Sequence, residues 1–407
     1  MNNIAIFQAD HPLHIHTINI VKGLEAGGYK VELFLYNCNF DCDNIQGLTN
    51  VYNLSNIHTY WSQRKTPIAK FAEAINYFFF LPMKVKQANL LPPAVFHESI
   101  NIVNREKYLC FIGVEKLGFV WASIISSMFP THILYYSLEL YPTFDVFKYP
   151  LNKLSSLKGF RFIRLRQLEK LYHKKAKATI IQDSHRADAI MKMNNVHKMD
   201  NIYLPVSLMG PPIREKNNYL RDRFSIPINK RIILQFGIIG KNRSVVEVAR
   251  ESQSFPDDWI LIFHGPIYDD NIRRSITAID KKKKIIISSN IVPPDEIDDL
   301  VSSADIGLCF YPKEHINDYL TGYSSEKLVR YLRCGIPVVT FDYPTFLDSV
   351  ARNGCGICLR DLSSLNVAIS EILNDYENYR TKAYEAFENS FEFNRQFEKV
   401  VSYIGRL

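Results

Sequence analysis

Two segments of the carboxyl-terminal half combine glycines, basic side chains and hydroxyls in the order that an anion site requires. In RIILQFGIIGKNRSVVEVAR (231–250) an apolar run ends at Gly237, and Gly240 follows before Lys241 and Arg243. Glycines at such a turn let the backbone approach a ligand closely, and Ser244 is placed to cap the next helix. The N–H groups and dipole at that helix start favour an anion, and an arginine can grip a diphosphate through two parallel hydrogen bonds. In YLTGYSSEKLVRYLRCGIPVVTFD (319–342), Ser324 or Ser325 caps a helix that Gly335 closes, and Lys327 falls in its first turn. A lysine there opposes the helix dipole, which makes better sense if an anion is bound, so Lys327 is the best-motivated site residue on physical grounds. Glu326 and Arg330, four residues apart, are spaced to pair on the helix surface.

Other chemistries lack their residues. The first apolar run leads into FQADHPLHIH, which has no glycine for a dinucleotide turn, and neither a P-loop nor a G-x-S-x-G elbow occurs. Cys38 and Cys42, and again Cys355 and Cys358, have ligand-like spacings, but no nearby His/Cys pair completes a zinc site, so no metal is expected. Seven cysteines is an odd number in a chain whose start, MNNIAIFQADHPLH, lacks a secretory signal, so most of them read as reduced core thiols. No stretch offers the ~20 uncharged apolar residues of a spanning helix. The expected location is the cytoplasm.

The elements that must position these residues follow from length and pattern. At 407 residues, 47% apolar and 22% charged, the chain suits two globular domains. Short apolar runs alternate with segments of helical period, the pattern of parallel sheets wrapped by helices. Strands are expected at 4–7, 31–36, 108–112, 133–136 and 179–182, and a second series at 231–237, 259–264, 284–288, 306–310 and 337–341. The expected fold class is α/β, with two doubly wound Rossmann-like domains facing a central cleft. The amino-terminal domain spans 1–205, a proline-containing linker 206–218, and the second domain 219–375; helices at 376–407 form a strandless tail expected to pack back on the amino-terminal domain.

The net charge of +7 sits in the amino-terminal half. There, IAKFAEAINYFFFLPMKVK (68–86) sets Phe71, Phe78, Phe79 and Phe80 beside Lys70, Lys84 and Lys86, and 158–177 is a second basic segment. The first is patterned either as a buried aromatic helix or as a peripheral contact with an anionic membrane surface. Nucleic acid is not an expected partner, since no recognition helix or aromatic RNA-binding motif accompanies the charge.

The segments ILQFGIIGKNRSVVEVA, PDDWILIFHGP, IVPPDEIDDLVSSADIGLCFYP and SSEKLVRYLRCGIPVVTFDYP stand in an order and spacing that resemble the nucleotide-sugar domain of GT-B glycosyltransferases, especially retaining enzymes of glycosyltransferase family 4. HIHTINIVKGLEAGGYKVELF, YYSLELYP, LEKLYHKKAKATIIQDS and IYLPVS resemble the amino-terminal domain more loosely, so the likeness covers nearly the whole chain. It implies a hexosyltransferase that moves a sugar from a nucleotide-diphosphate sugar, foremost a UDP-sugar, to a saccharide or lipid-linked acceptor in cell-surface polysaccharide or glycoconjugate biosynthesis. No cofactor and no metal are implied. In such proteins the last helix crosses back to the first domain.

Carried over residue by residue, the resemblance puts Gly237, Gly240 and Arg243 at the donor diphosphate with Lys327 beside them. His264 and Gly265 end a strand at the site, Val292 and Pro293 line the base, and Ser324, Ser325 and Leu328 sit near phosphate and ribose. His14, on the acceptor side, and His16 follow the first strand, and Glu139 falls near the reacting sugar; Arg243, Lys327, His16 and Glu139 are the implied catalytic set. Two family glutamates are replaced here by Gly322 and Arg330, which would leave ribose recognition to be rebuilt with Arg330 and Glu326, and a family histidine by Leu138. Asp41-Cys42-Asp43 has the look of a metal-binding D-x-D but follows the second strand, in the wrong domain for the donor. A nucleotide-sugar 2-epimerase of the same architecture and a non-catalytic sugar-binding subunit are the alternatives.

Overall fold

The computed structural model describes residues 3–10, 12–38, 48, 50–56, 90–140 and 157–407, with side chains from 162 in the last span. The aromatic and basic stretch at 68–86, together with Asp41, Cys42 and Asp43, lies outside the described residues. The chain divides into two compact units, Met1–Leu204 with Phe397–Leu407, and Pro205–Gln396.

The first unit is built on seven parallel strands: β1 (Asn3–Ala9), β2 (Lys30–Tyr36), β3 (Val51–Asn53), β4 (Cys110–Val114), β5 (His132–Tyr136), β6 (Ala178–Ile181) and β7 (Asp200–Tyr203), in the order β3-β2-β1-β4-β5-β6-β7. Its central strands are largely apolar, and β4 (CFIGV) is buried at every position, as strands covered on both faces must be. Phe7 of β1 stacks on Phe34 of β2 at 4.6 Å and meets Trp121 edge-on at 5.1 Å. Trp121 belongs to the helix Glu115–Ser126. That helix lies so close to β1 that a Cβ on Gly118 would stand 2.3 Å from the Phe7 carbonyl oxygen.

The second unit repeats the plan with β8 (Arg231–Phe236), β9 (Trp259–His264), β10 (Ile285–Ser288), β11 (Ile306–Cys309), β12 (Val338–Phe341) and β13 (Gly356–Leu359), ordered β10-β9-β8-β11-β12-β13. Side-chain alternation sorts its core into two layers. Ile232, Leu234, Ile262 and Val338 pack on one face with the helix Glu326–Arg333, while Ile233, Leu261, Phe263 and Val339 pack on the other. In each sheet the strand order reverses once, between β1 and β4 and between β8 and β11. At such a switch point the loops leaving the carboxyl ends diverge and open a crevice for a ligand.

At the opposite, amino-terminal edge of the second sheet, the buried carboxylate of Asp305 accepts the Ile232 N–H at 2.7 Å. It also pairs with Lys216, with Arg221 at 3.4 Å and with Arg231 at 3.5 Å.

The segment 206–218 packs against the second unit. Val206 and Leu208 are buried in the second core, the Val206 N–H donates to the Tyr323 carbonyl, and the Ile213 N–H donates to that of Arg333. The tail also differs from expectation: the helix Tyr376–Ser390 buries Ala383 and Phe387 in the second core, and the first unit takes in only Phe397–Leu407. Among the described residues, no helix is long and apolar enough to cross a membrane. The cysteines described are free thiols, and all but Cys358 are buried.

Candidate functional site

The loops after β8, β9 and β11 and the start of the helix Glu326–Arg333 bring four expected residues together. Gly237 (φ 102°) and Gly265 (φ 139°) both hold backbone conformations open to glycine, and they face each other. The Gly237 N–H donates to the His264 carbonyl at 2.9 Å, and a Cβ on Gly265 would lie 2.1 Å from the Gly237 carbonyl oxygen. On its other side Gly237 meets Lys327: a Cβ there would lie 3.4 Å from the lysine Cε and 3.7 Å from Nζ. The Lys327 side chain thus lies directly against the Gly237 backbone, whose own N–H is committed to His264.

Tyr311 organises the cations, and neither its position nor its role was legible in the sequence beyond the apolar run that precedes it. Its buried ring lies under the Lys327 ammonium, 5.3 Å from the centroid, and under the Arg243 guanidinium at 4.8 Å. Both distances suit attraction between a cation and a ring face. The Tyr311 hydroxyl hydrogen-bonds Ser325 Oγ at 2.7 Å, and Ser325 Oγ accepts the Leu328 N–H at 3.1 Å as the helix N-cap. One aromatic side chain therefore contacts both cations and braces the helix that carries one of them.

Arg243 is further held by Asp318, whose Oδ1 accepts from Nη1 at 2.8 Å. Asp318 is a second residue that sequence reasoning missed; it lies in the short helix Ile316–Tyr319, where nothing in the local pattern marks it. Burial, with the Arg243 charge adding to it, lowers the Lys327 ammonium to about 8. Two cations around one ring, with one carboxylate paired to Arg243, leave a positive excess.

His264 lies just behind the glycines. Its Nδ1 is 2.9 Å from Ser288 Oγ, and burial holds the ring down at about 4, so it is neutral at physiological pH. Gly240 precedes the single turn Lys241–Arg243, and Ser244 departs from the expected cap: its φ is +54° and its side chain makes no cap bond. Gln235 instead donates to the Arg243 carbonyl at 2.7 Å. Val292 is buried in the loop after β10, Pro293 beside it is exposed, and Ser324 sits one residue before the cap. Leu328 places its side chain in the core.

Glu326 and Arg330 are engaged elsewhere. Arg330 pairs with Glu326 at 2.8 Å and with Asp298 at 2.9 Å, and Asp298 also holds Arg333. Gly322 leaves no room for a side chain, since a Cβ would stand 2.3 Å from the Thr345 carbonyl oxygen. Among the described residues, no group of three or more His, Cys, Asp or Glu is arranged to hold a metal ion.

The remaining expected residues lie in the first unit. His14 is the N-cap residue of the helix Ile15–Ala26, without a side-chain cap bond, and His16 stands half-buried in its first turn. Glu139 is exposed just beyond the carboxyl end of β5.

Solved structures similar to the chain match it over its whole length. Sucrose-phosphate synthase of Thermosynechococcus elongatus aligns with a TM-score of 0.66 at 15% identity, covering 100% of this chain and 98% of that one. HepE of Anabaena, solved with UDP, aligns at 0.70 and 12% identity, covering 100% of both. WaaG, a glycosyltransferase involved in lipopolysaccharide biosynthesis, aligns at 0.62 and 14%, covering 99% of both. The fold is GT-B. Residues 272–393 match the family described as glucosyltransferase 3-like, C-terminal domain, a span of the second GT-B unit that contains Tyr311, Asp318, Ser325 and Lys327. No curated protein sequence matches the chain.

Proposed function

We propose that the chain is a hexosyltransferase that moves a sugar from a nucleotide-diphosphate donor, foremost a UDP-sugar, to a saccharide or lipid-linked saccharide, with retention, in the assembly of a cell-surface polysaccharide or glycoconjugate. The observation that carries this reading is the convergence of Lys327 and Arg243 on Tyr311 beside Gly237, at the switch point of the second sheet. The GT-B fold and the glucosyltransferase-like match over 272–393 support it, as does the similarity to a protein solved with UDP.

The chemistry follows from charge. As the bond from the anomeric carbon to the diphosphate breaks, its electron pair stays on the phosphate oxygen, and cations already fixed in place lower that barrier without reorganising. The acceptor oxygen then bonds to the anomeric carbon, and its proton passes to the departing phosphate. Lys327 and Arg243 supply the countercharge, with no resident metal in this scheme. His264, Gly265, Val292 and Pro293 hold the nucleoside end, His16 and Glu139 act at the reacting sugar, and His14 serves the acceptor side at the cytoplasmic face of the membrane. Because Arg330 is committed to Asp298 and Gly322 cannot carry a side chain, ribose recognition falls to groups other than those two positions.

The test is binding followed by turnover. A thermal shift with UDP and its sugars, and release of UDP only when a saccharide acceptor is added, are the expected results. Interconversion of the donor without acceptor would favour an epimerase. Donor binding with no turnover on any acceptor would favour a sugar-binding subunit, a reading that the loss of both family glutamates already favours over an epimerase.

A further inference from the structure

The short segment after β5 that presents Glu139 continues the sheet by one backbone bond, from the Ser137 N–H to the Ile180 carbonyl at 3.0 Å, and is otherwise held by side chains from three different places in the chain. The Ser137 carbonyl accepts from Gln182 Nε2 at 2.9 Å. The Leu138 and Glu139 N–H groups both donate to one oxygen of Glu115, at 2.7 and 2.8 Å. The Leu138 carbonyl accepts from Arg186 Nη2 at 2.6 Å. Gln182, Glu115 and Arg186 are each 1% exposed, so two ionisable groups are buried against one turn of backbone while the side chain of Glu139 is exposed. Burying charge is costly unless it is hydrogen-bonded, and here the bonds converge on a single dipeptide.

Two more features point the same way. Glu115 has φ +57°, a left-handed conformation at the junction of β4 and its helix, which a non-glycine residue keeps only where its surroundings over-determine it. Asp183, three residues before Arg186, is the N-cap of the helix Ser184–Asn194 and accepts the Arg186 N–H at 3.0 Å, fixing where the arginine starts. An ordinary strand-to-loop exit needs none of this, since water satisfies its peptide groups.

We propose that Glu115 and Arg186 are positioning residues that fix the Leu138–Glu139 peptide, and through it aim the Glu139 carboxylate in the transfer reaction. The inference rests on the functional reading above, in which Glu139 acts at the reacting sugar. Glu115 sets the height of the turn by taking two N–H groups into one oxygen. Arg186 prevents the peptide between them from rotating by holding its carbonyl. Neither touches substrate.

The test compares Glu115→Ala, Glu115→Gln and Glu139→Gln in the full chain, reading sugar transfer and amide hydrogen exchange across 137–140. Glutamine keeps an accepting oxygen, whereas alanine removes it. Glu115→Ala should lower kcat about 10- to 100-fold with the KM for donor little changed, because a carboxylate misplaced by about 1 Å loses that much. It should also speed exchange at Leu138 and Glu139, and Glu115→Gln should restore both. Arg186→Lys, which keeps the charge but not the fork, is the second variant should Glu115→Ala fail to fold; it should lower kcat in the same way. Fast exchange at 137–140 with kcat unchanged in Glu115→Ala or Arg186→Lys overturns the positioning role. Near-normal transfer by Glu139→Gln sinks instead the reading of Glu139 itself, so the two failures are told apart.

Discussion

The ammonium of Lys327 sits 5.3 Å from the centre of the Tyr311 ring, and the hydroxyl of the same ring bonds the serine that starts the lysine's helix. The charge and the scaffold that aims it therefore share one side chain. Arg243 reaches that ring from a different loop, so a single aromatic residue couples two strand ends.

Removing either cation should remove most transfer. For Lys327→Ala and Arg243→Ala we expect turnover to fall about 100- to 1000-fold, the scale seen when a fixed stabiliser of transition-state charge is deleted. Circular dichroism should show the fold unchanged. Turnover within a factor of a few of the wild type in both variants would refute the site.

The tyrosine separates into two functions by substitution. Tyr311→Phe keeps the ring but loses the bond to Ser325, and should cost about 1 kcal/mol of stability, similar to a weakened helix cap. Tyr311→Leu removes the ring from beneath both cations and should weaken UDP binding as well. Calorimetric titration of UDP into the two variants distinguishes these effects, and equal UDP affinity in both would argue against the ring as organiser.

The Lys327 ammonium, lowered to about 8 from an ordinary 10.5, makes donor binding pH-dependent. UDP affinity should fall as pH rises from 7 to 9, when the lysine loses its proton, and Lys327→Met should flatten that profile. Stability of the free protein runs the other way. Because the unfolded chain binds more protons than the folded one between about 8 and 10.5, the lysine's contribution to stability rises with pH across that window. Comparing denaturant midpoints of wild type and Lys327→Met at pH 7.5 and 9.5 measures the difference.

A glutamate at Gly322, as in the enzymes the sequence resembles, should not restore anything. A Cβ there would lie 2.3 Å from the Thr345 carbonyl, and the Gly322 N–H donates to Thr345 Oγ1 at 2.9 Å. Gly322→Glu is expected to lower the melting temperature by several degrees, on the order of a 1–3 kcal/mol overpacking cost, with no gain in UDP affinity. Tighter UDP binding by this variant would show that the backbone can move aside.

Much of this fold was legible because its strands are short apolar runs between helical segments. Arg231–Phe236, Trp259–His264 and Ile306–Cys309 end within one residue of where their sequences place them. The strands that escaped notice are the edge strands Val51–Asn53, Asp200–Tyr203 and Gly356–Leu359, the first two short and partly polar and the third only four residues long, opening on a glycine. Glycine and cap chemistry pointed to Gly237, Ser325 and Lys327, because turns and helix ends leave local traces. Tyr311 and Asp318 left none: their importance comes from tertiary contacts, across 14 residues to Ser325 and across 75 to Arg243. The prolines of 205–212 announce a stiff segment, but not that Val206 and Leu208 dock on the second core.

The second sheet keeps its buried acidic anchor, Asp305 with Lys216, Arg221 and Arg231, at one rim and its candidate ligand groups at the other. A laboratory lineage selected for heat tolerance and one selected for a new donor would draw substitutions from opposite rims. The two kinds of change should then combine with little mutual interference, as distant sites do. In such a molecule robustness and innovation need not compete for the same positions.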